Sequence, residues 1–215
     1  VEYENKTSFS IDVMFPAVDQ QKFSEAFGDG LSGEGEITVV IWTTTPWTLP
    51  ANQAVSLHAD LEYVLLQCTV NGEPRRLLVA TELMESALAR WQIEDASIVG
   101  RCQGEKLEGL LLQHPFYDRQ VPVLLGDHVT TEAGTGAVHT AADHGVDDFI
   151  VSRKYGIGTL NTLDDHGVYR PSVELFAGEH VYKVDEKIVE LLRERQSLLA
   201  DGKITHSFPH CWRTK

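Results

Sequence analysis

Three consecutive threonines, Thr43, Thr44 and Thr45, lead into Pro46-Trp47-Thr48-Leu49-Pro50-Ala51-Asn52. Each hydroxyl donates one hydrogen bond and accepts others, so a fixed row of them can hold water and a ligand's own hydroxyls without adding charge. The same residues suit a strand end whose hydroxyls bond their own backbone. The second chemically distinctive segment is Gly134-Thr135-Gly136-Ala137-Val138-His139-Thr140-Ala141-Ala142-Asp143-His144-Gly145-Val146-Asp147-Asp148. It reads as a glycine turn, a short strand, a loop and a helix whose first turn carries Asp147 and Asp148. Carboxylates there complement the unpaired amides of a helix start. An aspartate of unperturbed pKa about 3.9 is ionised at neutral pH and can also hold an ammonium group. His139, His144 and Asp148 have the residue types of metal ligands, but their spacing matches no recognised zinc pattern. His206, His210 and Cys211 are read as structural, and the other histidines, with Cys68 and Cys102, as surface or core residues.

These groups need elements to hold them. Two prolines bar both helix and central strand, so the threonine segment is a rigid turn leaving a sheet, the kind of position on which sites are built. A β-branched apolar run over 36–42 supplies the strand before it. Further strands are expected over Glu62–Val70, 76–80, 96–100, 121–125 and 136–140, with Asn71-Gly72 closing a hairpin between the first two of these. Residues 1–35 carry few regular signals, and 28–35 are turn-rich. Helical spacing predicts helices over 82–91, near 145–155 and over 185–200, the last with Ile188, Leu191, Leu192, Gln196 and Leu199 in one stripe and Gly202 as its stop. Many short strands with a few helices between them indicate an α+β domain with a curved or barrel-like β-sheet.

With 215 residues, 42% hydrophobic and 23% charged, the chain can bury a sizeable core. No apolar run approaches the roughly 20 residues that cross a bilayer, and no export signal is present, so a soluble cytoplasmic protein is expected. Three cysteines without a C-x-x-C pair agree with a reducing compartment. The net charge of −14 has the wrong sign for gripping a long stretch of nucleic acid through its phosphates. A nucleic-acid role is compatible with that charge only if the chain touches a short single-stranded end. Opening at Val1 and closing at Lys215 without a stop signal, the chain is expected to be a piece of something larger.

The phrase from Trp42 to Asn52 resembles the editing domain of isoleucyl-tRNA synthetases. Valyl and leucyl relatives typically carry Arg-Pro, an acidic residue and threonine at this turn, where the present chain reads Thr45-Pro46-Trp47-Thr48. The segment from Gly134 to Asp148 is similar to the family's glycine-rich histidine and aspartate motif. It departs at Ala142-Asp143, where many relatives carry a proline-containing pair, a difference that bears on loop rigidity and local charge. The resemblance runs from Val1-Glu2-Tyr3-Glu4 to the bacterial-looking Pro209-His210-Cys211-Trp212-Arg213.

The resemblance implies the fold of that editing domain, an α+β body with a few flanking helices. It implies an entry segment and lead-in at 1–35, the editing domain at 36–202 and a return segment at 203–215. The activity implied is post-transfer editing, in which the ester of valyl-tRNA(Ile) is hydrolysed to valine and tRNA. Asp148 would bind the amino acid's α-ammonium, His139 would wall off its side chain, and Thr44 and Thr45 would join Asp148 in catalysis. Trp42, Thr43 and Asn52 complete the substrate-binding set, with Asp147 left to cap the helix. No metal or cofactor is implied for editing. ATP and Mg belong to a parent catalytic domain, whose His-Ile-Gly-His-type and Lys-Met-Ser-Lys-Ser-type motifs this sequence lacks. The implied partners are the 3′ end of aminoacylated tRNA(Ile) and the rest of the synthetase, with a monomer expected. No residue stands out as a general base; a positioned water with the substrate's free ribose hydroxyl would suffice. The alternatives are valyl or leucyl editing, a non-catalytic module that binds the tRNA 3′ end, and a small metal-dependent hydrolase.

Overall fold

The computed structural model describes residues 2–28 and 31–210, with side chains over 7–28 and 31–205. His206, His210, Cys211 and the segment through Arg213 therefore lie outside the described side chains. In chain order the elements are β1 (Glu2–Pro16), α1 (Gln20–Glu25), β2 (Glu36–Thr43), β3 (Ala54–Leu57), β4 (Glu62–Val70), β5 (Glu73–Ala80), α2 (Met84–Trp91), β6 (Ser97–Gln103), β7 (Leu111–Gln113), β8 (Gln120–Leu125), β9 (Val138–Thr140), α3 (Val146–Lys154), α4 (Asp185–Glu194) and β10 (Leu198–His210).

The strands form two mixed sheets, one of six strands in the order β10-β1-β2-β5-β4-β6 and one of four in the order β7-β8-β3-β9. An isolated bridge between Ala17 and Leu112 joins the end of β1 to β7, so the expected curved sheet is realised as two sheets meeting at one side. The apolar runs read from the sequence are what they bury: Val39, Ile41, Val64, Leu65, Leu77 and Val79 have no exposure, and share one core with Val55, Leu57 and Val123 of the smaller sheet. At the β4–β5 hairpin Asn71 and Gly72 both take positive φ, 52° and 82°, as a two-residue primed turn requires. Among the described residues no helix is long and apolar enough to cross a membrane. Cys68 and Cys102 are free thiols, pushed up by burial to about 11 and about 12.

Two regions depart from the sequence reading. Residues 2–16 are a long strand rather than a segment of few regular signals. Ile11 to Val13 pair with both β10 and β2, Met14 to Pro16 continue along β2, and Glu2 to Ser10 pair with β10 alone. The polar Asn5, Lys6 and Asp12 mask its alternation. Ile11, Val13 and Phe15 of this strand are fully buried in the common core. The helix read over 185–200 ends at Glu194. Gln196 adopts φ 56° while Gln196 N–H and Ser197 N–H bond back to Arg193 O and Leu192 O at 3.0 and 2.9 Å, a left-handed stop. Leu199 and Gly202 instead continue as β10, because the open edge of β1 offers a full ladder of partners.

Candidate active site

β2 delivers Trp42 and Thr43 to the rim of the sheet, and the chain then turns through a 310 segment, Pro46–Ala51. Proline at its first position sets φ without sacrificing a needed N–H. Long-range bonds fix the turn from outside. Asp185 at the start of α4 accepts from Trp47 N–H at 3.1 Å, and the Tyr169 hydroxyl donates to Trp47 O at 2.5 Å. The Arg119 guanidinium donates to Asn52 O at 2.6 Å and Pro50 O at 3.3 Å. Within the turn, Thr45 N–H donates to Thr43 Oγ1 at 3.1 Å, and the Thr43 and Thr45 hydroxyls lie 3.2 Å apart. The local-bonding reading of these hydroxyls is thus partly realised.

β9 brings His139 against this turn, pairing with β3 so that His139 stands opposite Val55. The glycine loop before it is tightly seated. Thr135 Oγ1 donates to Val40 O at 2.6 Å, the Tyr63 hydroxyl to Gly136 O at 2.6 Å, and Ala80 N–H to Thr135 O at 2.8 Å. A Cβ on Gly136, which has φ +77°, would stand 2.4 Å from Ala80 Cβ. On the other side of the loop, Arg90 forms a bidentate pair with the buried Asp12 at 2.7 and 2.8 Å and reaches Gly134 O at 3.2 Å.

His139 is held in one protonation state by its neighbours. The Thr48 hydroxyl donates its proton to Thr45 O at 2.9 Å, so it accepts from His139 Nε2–H at 2.8 Å. Asn52 Nδ2 donates to Ala54 O at 2.8 Å and, with its other hydrogen, to His139 Nδ1 at 2.7 Å. Because Ala54 O can only accept, this assignment follows from the network. Protonated Nδ1 would face an amide donor. Burial, followed by the nearby His144, lowers the His139 pKa to about 3.

Asp148 lies in the first turn of α3. Its Oδ2 accepts from Ala141 N–H at 3.0 Å, leaving Oδ1 without a hydrogen bond among the described residues. Desolvation raises its pKa, against the opposing pull of the Ala141 amide. Gly145 is the N-cap, and a Cβ there would approach Asp148 Cγ to 3.2 Å. Asp147 gives no side-chain cap; its charge sits in the first turn, where it meets the helix dipole.

A cavity of about 190 Å3 opens where these pieces meet, lined by Trp42, Thr43, Thr45, Thr48, Val138, His139, His144 and Asp148. It combines hydroxyls, a neutral imidazole, an indole wall and one carboxylate. Both ring nitrogens of His139 are engaged, and among the described residues no group of three or more His, Cys, Asp or Glu is arranged to hold a metal ion. A larger depression of about 400 Å3 lies behind the turn beside Arg119 and Tyr117. Its guanidinium is already committed to backbone carbonyls and to the Tyr117 ring, 5.1 Å away.

Of the residues singled out from sequence, Trp42, Thr43, Thr45, His139 and Asp148 converge on the cavity. Thr44 is absent from its lining, and Asn52, with no exposure, stands behind His139 instead of facing the cavity. Thr48, Val138 and His144 line it without having been assigned to it. Thr48 sat inside the threonine-rich phrase, and its apolar-looking context hid that its hydroxyl turns toward β9. His144 packs edge-on to Trp47 at 5.1 Å, a contact that sequence does not announce.

No family model matches the chain. Two curated proteins named isoleucine–tRNA ligase are similar to it along its whole length. The one from Hahella chejuensis is 61% identical over 215 residues and the one from Teredinibacter turnerae 63% over 216. The chain spans 23% and 22% of those relatives, less than a quarter of their length. Among solved structures, the cytosolic leucyl-tRNA synthetase editing domain of P. knowlesi matches with a TM-score of 0.68 at 11% identity, covering 94% of this chain and 97% of that one. Its P. falciparum counterpart matches at 0.66 and 12%, covering 91% and 98%.

Proposed function

We propose, from the premise that this chain is homologous to part of the bacterial isoleucine–tRNA ligases and has the editing-domain fold of class I aminoacyl-tRNA synthetases, that it hydrolyses valyl-tRNA(Ile). The observation that carries this reading is the small cavity in which Asp148 faces His139 and the Thr43, Thr45 and Thr48 hydroxyls. Asp148 binds the α-ammonium of the esterified amino acid through the oxygen left free by Ala141. Trp42 and Val138 give the side chain an apolar wall. His139, neutral and locked, limits its length. Isoleucine exceeds valine by one methylene, worth only about 1–3 kcal/mol in a binding pocket. A second site that admits the smaller residue adds discrimination, and this ligase family is the standing illustration of that device.

Water held by the threonine hydroxyls attacks the ester carbonyl carbon. The bond to the ribose oxygen breaks, that oxygen takes up the proton the water loses, and valine is released. Orientation supplies most of the rate, the substrate's free ribose hydroxyl serving in place of a protein base. Asn52 acts as a positioning residue for His139. The ribbon in which Glu2 to Ser10 pair with β10 supports entry and return segments joining the domain to the rest of a synthetase, with the body starting at Ile11.

The test is deacylation of valyl- and isoleucyl-tRNA(Ile) by the full-length protein. Asp148→Asn removes a charge-assisted bond worth about 1.5–3 kcal/mol, so kcat/KM for valyl-tRNA should fall roughly 10- to 150-fold. His139→Ala should admit isoleucyl-tRNA to hydrolysis. A wild-type rate in the first variant, or unchanged discrimination in the second, would refute the corresponding role.

A further inference from the structure

Asp12 is a carboxylate set inside a sheet, 1% exposed, paired with Ala200 of β10 on one side and directly opposite Trp42 of β2 on the other. Burial of an ionised group is costly unless it is paired, and an apolar pair of the same volume holds a core as well or better. The Asp12–Arg90 pair therefore calls for a reason beyond stability, and its geometry supplies one. Arg90 stands in the last turn of α2, where the helix dipole favours a cation. Its Nε–H donates to Asp12 Oδ2 at 2.8 Å, and Nη2 divides its two hydrogens between Asp12 Oδ1 at 2.7 Å and Gly134 O at 3.2 Å. The same guanidinium lies 6.0 Å from the centre of the Trp42 ring, at the outer edge of cation–π contact. The indole is held from two further sides. Its Nε1–H donates to Ser10 Oγ at 2.8 Å, and Ser10, two residues before Asp12, shares that face of β1. Gly134, at φ +82°, sits so close to the ring that a Cβ there would stand 3.3 Å from Trp42 Cε3.

Resting on the editing reading above, we infer that Arg90 is a positioning residue of the reaction: anchored on Asp12, it clamps the Gly134 loop against the Trp42 indole and, with Ser10, fixes the wall that decides how large an esterified side chain the cavity admits. Trp42 and Val138 line that cavity together, and Gly134 opens the loop that leads to Val138 and His139 on β9. One clamp thus steadies both apolar surfaces of the pocket. The guanidinium suits the task because its planar fork meets the two Asp12 oxygens and Gly134 O at once while turning a flat face to the indole. A lysine ammonium is a compact point charge that keeps the attraction to Asp12 and loses that simultaneous reach. Valine and isoleucine differ by one methylene, so a pocket that separates them by size needs its wall in a fixed place.

Arg90→Lys and Ser10→Ala, each in the full-length protein, test this through the ratio of kcat/KM for valyl-tRNA(Ile) to that for isoleucyl-tRNA(Ile), with urea unfolding measured beside it. Arg90→Lys keeps a cation against Asp12 and Ser10→Ala leaves the ion pair untouched, so a role confined to neutralising Asp12 would leave the ratio unchanged in both. Each variant should lower the ratio about three- to tenfold, the effect of one lost hydrogen bond. In a Trp42→Ala background the same substitutions should lower it no further, because the wall they steady is gone. A wild-type ratio in Arg90→Lys overturns the assignment, whether or not the urea midpoint has fallen. Undiminished effects in the Trp42→Ala background overturn it too, since they bypass the indole. Should Arg90→Lys fail to fold, Ser10→Ala decides alone, and an unchanged ratio there overturns the clamp. If the wild-type protein leaves valyl-tRNA(Ile) intact, the editing reading itself fails and the clamp with it.

Discussion

Acid should unlatch the turn that builds the cavity, because two neutral histidines clamp it. His139 donates through Nε2 to Thr48 and accepts at Nδ1 from Asn52. His114 donates through Nε2 to Leu49 O at 3.1 Å and accepts at Nδ1 from Phe116 and Tyr117 N–H at 3.3 and 3.1 Å. In both rings a second proton would point at a donor, and burial is the first cause that lowers each pKa from 6.5 to about 3. A folded pKa depressed below the unfolded one means that stability is present above pH 6.5 and is lost as pH falls toward the folded value, since the unfolded chain takes up the proton first. At pH 5 each histidine has withdrawn about 1.36 kcal/mol times 1.5 units, about 2 kcal/mol, and the pair about 4 kcal/mol. The result depends on the unfolded value, because any folded pKa of 4 or below gives nearly the same loss at pH 5. Urea unfolding of wild type, His114→Gln and His139→Gln at pH 7.5 and pH 5 reads the effect. Glutamine does not titrate, so the stability gap between wild type and each variant should shrink by about 2 kcal/mol on acidification. A gap that is the same at both pH values would refute the locked-neutral assignment.

The opposite sign applies at Asp148, whose folded pKa is raised by desolvation. The ionised carboxylate therefore costs stability once pH rises through that folded value, and Asp148→Asn, whose amide oxygen can still accept from Ala141, should melt at an equal or higher temperature at pH 7.5 even as editing falls. A clear drop in Tm would show that the carboxylate is structural. The two site glycines should separate fold from function. Gly136→Ala sets a Cβ 2.4 Å from Ala80 Cβ at φ +77° and should destabilise by about 3 kcal/mol. Gly145→Ala, in ordinary extended backbone at φ −177°, presses only on the Asp148 carboxylate and should raise KM while leaving denaturation nearly unchanged.

Much of this protein was legible along the chain. The β-branched runs of β2 and β4 had to be buried strands, Asn71-Gly72 had to turn, and the two prolines had to make the threonine segment rigid. These are short-range effects of side-chain shape and backbone restriction, complete within a few residues. Trp42, Thr43, Thr45, His139 and Asp148 were singled out by the resemblance of their two segments to the editing-domain motifs, and the fold brings all five to one cavity. What the chain alone did not disclose depends on partners distant in sequence. Leu198 to Ala200 continue a helical stripe on paper and become strand because β1 offers unpaired backbone groups. β1 itself tolerates Asp12 in a buried strand because Arg90 of α2 meets it in a bidentate pair. Thr44 and Thr45 are neighbours of the same chemistry, yet only Thr45 lines the cavity, a matter of which way the 310 turn begins. Asn52 could have been a ligand-binding amide by type. It is a buried prop for His139 because β9 pairs with β3 and brings the imidazole against its amide group, and that contact, 87 residues apart in sequence, decides which nitrogen carries the proton.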